Sequence, residues 1–233
     1  MDKQELLRQL NNEMIDCDET QLNLLMSLMN STLEQNERFN LTAIKEEPIF
    51  LEKMIFDSAI AIRELDLNNK SIIDVGTGAG FPGMVIRILA KDAKVTLLDS
   101  TKKKINYLKE FALANNLNIN GVSERAEDYS RNHRETFDYA TARAVAALNI
   151  LLEIIVPLLK VGGTFIALKG LGYEEEINNA KNALKKLNCH IESIYDFDLP
   201  ESKEKRAIIY IKKDKETSKK YPRQYTDIKK QPL

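Results

Sequence analysis

The spacing of apolar positions along the chain changes character near residue 70. Before that point, hydrophobic side chains recur every three or four positions from Leu22 to Leu33 and again from Leu51 to Ile62. This spacing places them on one face of a helix, where a core can cover them. The polar stretch FNLTAIKEEP connects the two segments. We therefore expect residues 1–68 to form an N-terminal helical extension.

After residue 70, short β-branched segments alternate with helical patterns. The predicted strands are SIIDV, KVTLLD, INGVSE, FDYATARA and GGTFIALKG, followed by a late pair, HIESIYDFDL and RAIIYIKK. Alternation of this kind predicts an α/β fold with a doubly wound, largely parallel sheet. We expect this domain to span residues 69–213 and the last residues, 214–233, to form an irregular basic tail.

Composition fits an ordinary domain, since 43% of the 233 residues are hydrophobic. No apolar run approaches the roughly 20 residues that span a bilayer, and MDKQELLRQL lacks the apolar segment of a signal peptide. We therefore expect a cytoplasmic protein with no membrane partner. Cys17 and Cys189 stand alone in the sequence, which favours reduced packing residues over a structural zinc site.

Charge is unevenly distributed, although the net charge is only −1. Residues 1–60 carry 5 basic and 12 acidic side chains, whereas residues 201–233 carry 11 basic and 5 acidic ones. A basic end is typical either of a nucleic-acid contact or of a solubilising tail. Charge alone does not choose between these two interpretations.

The stretch IIDVGTGAGFPG, residues 72–83, joins the first predicted strand to the first helix of the domain. Glycines at 76, 78 and 80 let the backbone turn tightly and approach a ligand closely, and ligands bind at the carboxyl ends of strands in such sheets. The spacing lacks the lysine of a phosphate-binding GxxxxGK[ST] loop. It also differs from the dinucleotide pattern GxGxxG.

Two carboxylates near this loop indicate a different ligand. Asp74 would repel a pyrophosphate but would favour a ligand with an ammonium and a sulfonium, such as S-adenosylmethionine. Asp99 ends the second strand, where a carboxylate can accept both ribose hydroxyls. After the third strand, Glu127 or Asp128 could accept from an adenine amino group. Alternatively, these two acids are a polar start of the next helix.

The end of the fourth strand, TARAVA, occupies the usual catalytic position of such a sheet, yet no histidine or cysteine is near it in sequence. Covalent attack on a pyrimidine is therefore not expected, and the site lacks a general base. Nor does any [DNS]PP[YF] motif indicate methylation of an exocyclic amino group. A nucleophile with a free lone pair, such as guanine nitrogen 7, needs no deprotonation. Catalysis would then rest on alignment with the methyl group.

Arg143 and Lys169 end the fourth and fifth predicted strands. Either could bind RNA phosphate or the edge of a guanine. The alternative for Arg143 is an ion pair with a nearby carboxylate such as Glu127, which would hold the loops together.

Several segments in order along nearly the whole chain resemble a known family: NLTAI, IIDVGTGAGFPG, LLDSTKKK, RAED, FDYATARAVA, GGTFIALKG and YPR. The chain is similar to the bacterial glucose-inhibited division protein B family of small-subunit ribosomal RNA guanine-N(7) methyltransferases. The resemblance implies a Rossmann-like class I S-adenosylmethionine-dependent methyltransferase sheet. It also implies transfer of one methyl group to one guanine in the decoding-region loop of 16S rRNA.

The resemblance and the loop together give a set of expected site residues. The expected cofactor-binding residues are Asp74, Gly76, Gly78, Gly80, Phe81, Asp99, Ser100, Ala126, Glu127 and Arg143. Arg143 is also the expected catalytic residue, and Lys169, Arg223, Lys229 and Lys230 are expected to contact RNA. The expected partner is 16S rRNA or the small ribosomal subunit, met by a monomer that binds no DNA and no metal.

Two departures from the family pattern stand out. Met54 takes the place of a histidine that many members carry before Ile-Xaa-Asp-Ser, and the tail after YPR lacks a glycine found in many members.

Two other functions remain open from the residues. One is a small-molecule methyltransferase with a lid over its pocket, and the other is a non-catalytic ribosome-assembly factor that retains cofactor binding.

Overall fold

The computed structural model describes residues 1–38 and 40–233, so Phe39, the first residue of the predicted connector, lies outside the described residues. The chain starts with helices α1 (Lys3–Asn12) and α2 (Glu19–Asn36). The side chain of Asp2 caps α1 by accepting from the backbone of Glu5, and Asp18 forms a capping box with Gln21 at the start of α2. These bonds satisfy N–H groups that a helix start leaves unpaired.

A further helical segment runs without interruption from Glu47 to Ile62, but its winding changes along its length. It comprises α3 (Glu47–Phe50), a π-helical stretch (Leu51–Phe56), α4 (Asp57–Ala59) and a 3₁₀ turn (Ile60–Ile62). The predicted helical character of the N-terminal part is confirmed.

Seven strands form one sheet in the order β3-β2-β1-β4-β5-β7-β6. The strands are β1 (Ser71–Val75), β2 (Lys94–Leu98), β3 (Ile119–Val122), β4 (Phe137–Arg143), β5 (Leu159–Lys169), β6 (Cys189–Asp198) and β7 (Lys205–Lys213). The first five are parallel to one another, whereas β7 is antiparallel to both β5 and β6. The predicted largely parallel sheet with a late strand pair is therefore confirmed.

The remaining helices connect these strands or follow them. They are α5 (Gly83–Leu89), α6 (Lys102–Ala114), α7 (Ala126–Asn132), α8 (Leu148–Ile155) with a 3₁₀ turn (Val156–Leu158), α9 (Tyr173–Lys186) and α10 (Tyr225–Lys230). No helix in the described part of the chain has the length and apolar character needed to cross a membrane.

Each face of the sheet has its own hydrophobic core. One core joins the N-terminal helices to α5 and α6, and the other joins α7, α8 and α9. Alternate residues of the strands divide between the cores, as the two-residue period of a strand requires. Gln21 reinforces the first core, because its buried amide donates to the carbonyls of Ile88 and Leu89 at the end of α5. The helical extension is thus packed firmly on the sheet domain.

The expectation of an irregular tail is wrong for residues 225–230, which form α10. The backbone and side chain of Arg223 donate to the carboxylate of Glu153, whose side chain is fully buried in α8. A buried carboxylate is costly unless it is paired, so this contact fixes the tail. Ile228 adds a fully buried apolar side chain.

Candidate active site

The glycine loop follows β1 and bends across the end of β2. Gly76, Gly78 and Gly80 have φ angles of +73°, +58° and +100°, a region that other residues adopt only with strain. The amides of Gly76 and Thr77 donate to the carbonyl of Leu98 over 2.8 and 3.0 Å. A side chain at position 76 would also collide with Val145, whose Cγ2 would lie 2.5 Å from the added Cβ.

A cavity of about 1210 Å³ opens at the carboxyl ends of β1, β2, β4 and β5. The expected site residues that line it are Gly76, Gly78, Phe81, Asp99, Ser100, Ala126, Glu127, Arg143 and Lys169. The other expected residues, Asp74, Gly80, Arg223, Lys229 and Lys230, are not among the described lining residues. The structure thus brings most of the predicted cofactor residues to one place.

Asp74 is fully buried behind the loop. One carboxylate oxygen accepts from the Thr141 hydroxyl at 3.0 Å, and the other accepts from the Gly83 amide at 2.9 Å. Burial raises the pKa of the Asp74 carboxyl, and these hydrogen bonds oppose the rise. The carboxylate therefore ties β1 to β4 and to the start of α5, which shapes the loop from behind.

Asp99 lies at the cavity wall, and its carboxylate is fixed by backbone. The amides of Gly78 and Thr101 donate to its two oxygens over 3.0 and 2.8 Å, and the ammonium of Lys104 lies 3.9 Å away. Each carboxylate oxygen has more than one acceptor site. Asp99 can therefore accept hydroxyl groups of a ligand while it keeps the loop in place.

The structure separates the two acids at the start of α7. Glu127 is 8% exposed and lines the cavity, and no described residue donates a hydrogen bond to its carboxylate. Asp128 pairs instead with Arg131 at 2.6 Å, away from the cavity. Both acids lie in the first helical turn, so the alternative interpretation is correct about their location. Only Glu127 is placed to accept from a ligand.

Arg143 pairs with a carboxylate that its sequence surroundings do not contain. Its guanidinium lies 3.5 Å from Asp57 and donates to the carbonyl of Lys53 at 3.0 Å. Arg206 lies 3.4 Å from the same carboxylate. Burial raises the pKa of Asp57, and the two guanidiniums oppose that rise. The partner suggested as the alternative, Glu127, does not pair with Arg143.

The partner of Arg143 comes from the winding change in the N-terminal segment. Lys53, Met54 and Asp57, within or directly after the π-helical stretch, all line the cavity. π-Helical turns occur frequently at functional sites, because they shift the register of the side chains that follow. Met54, at the position of the family's histidine, accepts a hydrogen bond at its sulfur from Arg143 at 3.3 Å.

Two of the four residues expected to contact RNA already have carboxylate partners. Lys169 lies 2.6 Å from Glu176, and its side chain is only 8% exposed. The guanidinium of Arg223 is held by Glu153. Lys229 and Lys230 are exposed on α10.

Some lining residues were not predicted from the sequence as site residues, among them Asp57, Lys104, Arg125 and Tyr225. Asp57 and the neighbouring Ser58 interrupt an otherwise apolar helical stripe, which was the available signal. No sequence pattern indicated a role for Tyr225, because the local sequence of the tail does not show where the tail packs on the domain.

The described lining contains no histidine and no cysteine. His133 stacks on Tyr129, and His190 contacts Asp214. Within residues 1–38 and 40–233, no group of three or more His, Cys, Asp or Glu side chains is arranged to hold a metal ion.

The residues that line the described part of the cavity offer suitable groups for binding S-adenosylmethionine. Asp99 can accept the ribose hydroxyls, and the unpaired, nearly buried carboxylate of Glu127 can accept from the adenine amino group. Gly76 and Gly78 are partly exposed at the cavity wall, where the loop presents backbone to a ligand. These features are compatible with one nucleoside ligand at the ends of β1, β2 and β3.

Comparison with known families gives a match over most of the chain. A family model described as GidB, rRNA small subunit methyltransferase G, matches residues 21–209. A protein of Fusobacterium nucleatum named ribosomal RNA small subunit methyltransferase G is 42% identical to this chain. The aligned region covers 94% of each of the two chains. A protein of the same name from Caldicellulosiruptor bescii is 45% identical, over 90% of this chain and 91% of its own.

Solved structures resemble the fold at much lower identity. The crystal structure of M. jannaschii TYW2 in complex with AdoMet superposes with a TM-score of 0.58. It is 15% identical and covers 73% of this chain and 79% of its own. This similarity concerns the fold, which is that of class I methyltransferases.

Proposed function

The chain belongs to the GidB family of ribosomal RNA small subunit methyltransferases, and on that premise we propose which atom it methylates. The protein transfers a methyl group from S-adenosylmethionine to nitrogen 7 of one guanine in the decoding-region loop of 16S rRNA. The observation that carries this proposal is the cavity at the strand ends, which combines a nucleoside-binding wall with a described lining free of histidine and cysteine.

The cofactor-binding wall consists of the glycine loop, Asp99, Ser100 and the start of α7. Asp99 is held in place by two backbone amides, so it needs no rearrangement to accept a ribose diol. Glu127 provides an acceptor at the other end of the wall. Asp74 contributes indirectly, because it fixes the loop through Gly83 and Thr141.

S-Adenosylmethionine, when bound, supplies a methyl group on a positively charged sulfur. Guanine nitrogen 7 carries a free lone pair, so its attack on that methyl group would require no proton removal, and the sulfur would leave as a neutral thioether when its bond to the methyl carbon breaks. The chain's task is to hold the two reactants in line, and such alignment can contribute several kcal/mol to catalysis. A site without a histidine or cysteine base suits this chemistry.

Arg143 is the cation we assign to the reacting region. Asp57 and the Lys53 carbonyl hold its guanidinium, so its orientation is set before substrate binds. Arginine commonly donates to the O6 and N7 edge of guanine. A contact to O6 alone would leave nitrogen 7 facing the methyl group.

We assign RNA backbone contacts to cations in and around the cavity. Lys104 and Arg125 belong to its lining, and Lys229 and Lys230 extend the basic surface along α10. Phosphate contacts of this kind position RNA without reading its sequence. Arg223 and Lys169 instead serve to hold α10 and the start of α9 in place.

Two measurements separate this function from the alternatives. Calorimetric titration with S-adenosylmethionine should show binding. A folded protein that binds neither the cofactor nor its demethylated product would contradict the methyltransferase assignment.

The second measurement is turnover, which should require small ribosomal subunits or 16S rRNA. Methyl transfer to a small molecule at an equal rate without RNA would favour the small-molecule alternative. Cofactor binding without transfer to any form of the subunit would favour the assembly factor.

A further inference from the structure

The docked C-terminal segment adds an aromatic side chain to the cavity. Tyr225, the first residue of α10, is half-buried and lines the cavity together with Phe81. Phe81 packs edge-on against Phe50, with ring centroids 5.5 Å apart, so Phe50 covers part of the Phe81 ring. No aromatic contact within the described part of the chain involves the ring of Tyr225.

Contacts on both sides of Tyr225 fix its position. Two residues before it, Arg223 is bound by the fully buried carboxylate of Glu153 through its backbone amide and two guanidinium nitrogens. Three residues after it, Ile228 is fully buried. Bidentate arginine–carboxylate pairs have strict geometry. The backbone that carries the Tyr225 ring is therefore held by the fold itself.

A second set of contacts holds the segment to α7 and to the turn after it. Arg131 donates to the carbonyl of Arg223 at 2.8 Å, and Arg134 donates to the carbonyl of Tyr221 at 2.6 Å. The tail thus contacts the same helix whose first residues, Ala126 and Glu127, line the cavity.

The docking site indicates which end of the cavity Tyr225 occupies. The tail packs on α7 and α8, and these helices contribute Ala126, Glu127 and Ile154 to the lining. Arg143 is fastened to the N-terminal segment, on the opposite face of the sheet. Tyr225 therefore lines the cavity from the same face of the sheet as Glu127, the acceptor suited to an adenine amino group.

We propose that Tyr225 stacks on the adenine ring of S-adenosylmethionine, so that the C-terminal segment forms one wall of the cofactor site. The inference rests on the proposed use of that cofactor. Every purine offers a flat π-face, and stacking of a base on an aromatic side chain is a common and strong contact. The segment that we expect to meet RNA would thereby also contribute to cofactor affinity.

Titration calorimetry on the full chain tests this proposal with two ligands, S-adenosylmethionine and adenosine. Tyr225→Ala should weaken both by on the order of tenfold, because the removed ring stacks on the adenine that both ligands share. Tyr225→Phe should bind nearly as the unchanged protein does, since it keeps the ring. Thr226→Ala is the matched control, because Thr226 is exposed on the same helix and is not among the described lining residues.

A positioning control uses Arg131→Met, which removes the hydrogen bonds from Arg131 to the tail together with its ion pair to Asp128, and which changes no described lining residue. We expect a smaller decrease in affinity for both ligands, because the ring remains but is held less firmly.

The proposal is overturned if the unchanged protein binds S-adenosylmethionine and Tyr225→Ala binds it equally well. It is also overturned if Tyr225→Ala leaves the cofactor Kd unchanged but raises the KM for small subunits, since the ring would then contact RNA. Absence of cofactor binding by the unchanged protein would instead contradict the proposed function itself. Binding stoichiometry and the thermal unfolding curve confirm that each variant is folded.

Discussion

The guanidinium of Arg143, at the end of β4, lies 3.5 Å from the carboxylate of Asp57 in the N-terminal helical segment. Arg206 in β7 lies 3.4 Å from the same carboxylate. One buried anion therefore serves two cations from different strands and joins the helical extension to the sheet beside the cavity. Asp57 is the residue on which this arrangement depends.

We expect Asp57→Asn to lower the free energy of unfolding by about 3–5 kcal/mol, because the largely buried guanidinium of Arg143 would lose its paired carboxylate, whereas Arg206 keeps Glu204. Arg143→Met should lower the free energy of unfolding by less. Asp57 still pairs with Arg206 in this variant, and methionine replaces most of the apolar part of the arginine side chain. Urea unfolding curves measure both changes. The reverse order of the two effects would contradict the shared-anion interpretation.

Asp99 should matter for cofactor affinity more than for stability. Asp99→Ala removes a carboxylate that can accept the ribose hydroxyls, and hydrogen bonds to charged groups contribute about 1.5–3 kcal/mol. Affinity for S-adenosylmethionine should accordingly fall by roughly tenfold or more. Asp92→Ala is the matched control, because Asp92 is exposed and is not among the described lining residues. If the two variants bound the cofactor equally well, the ribose would have to lie elsewhere.

Gly83 allows a close approach between α5 and the carboxylate behind the loop. An added Cβ would lie 2.7 Å from the Asp74 Cβ and would also collide with Leu97. We expect Gly83→Ala to destabilise the protein by about 1–3 kcal/mol through overpacking. Gly170→Ala is the control, since an added Cβ there meets no heavy atom within 4 Å. Thermal unfolding compares them, and equal melting temperatures would contradict the crowding argument.

The basic surface of α10 predicts a change in salt dependence. Reversing the charges of Lys229 and Lys230 should weaken binding to 16S rRNA. It should also reduce the slope of log Kd against log salt by roughly 0.7–0.9 for each phosphate that the protein no longer neutralises. The same reversal at Lys185 and Lys186, exposed at the far end of α9, should leave the slope unchanged. Equal slopes for both double variants would mean that α10 is only solvated.

The strands and the glycine loop could be predicted because their signals are local. A β-branched run or a glycine series depends on a few neighbouring residues, and the order of such segments defines an α/β sheet. The position of Asp99 followed from the same logic, since it ends a strand beside the loop. These features required no knowledge of distant contacts.

Contacts between distant segments could not be predicted in this way. Asp57 and Arg143 lie in different elements, and no local pattern indicates that a π-helical stretch brings them together. The docking of the tail depends on Glu153, a carboxylate within an apolar helix that the sequence pattern presents as simply buried. Asp74 shows the same limit, because its position before the glycines does not reveal that Thr141 and Gly83 engage both its oxygens.

The most direct test of the proposed function follows the methyl group to its atom. Small ribosomal subunits from a strain lacking this enzyme would be incubated with the protein and radiolabelled S-adenosylmethionine, and the RNA would then be cleaved chemically at 7-methylguanosine. We predict labelled 16S rRNA with a single cleavage in the decoding-region loop. Labelled RNA that resists this cleavage would contradict methylation at guanine nitrogen 7.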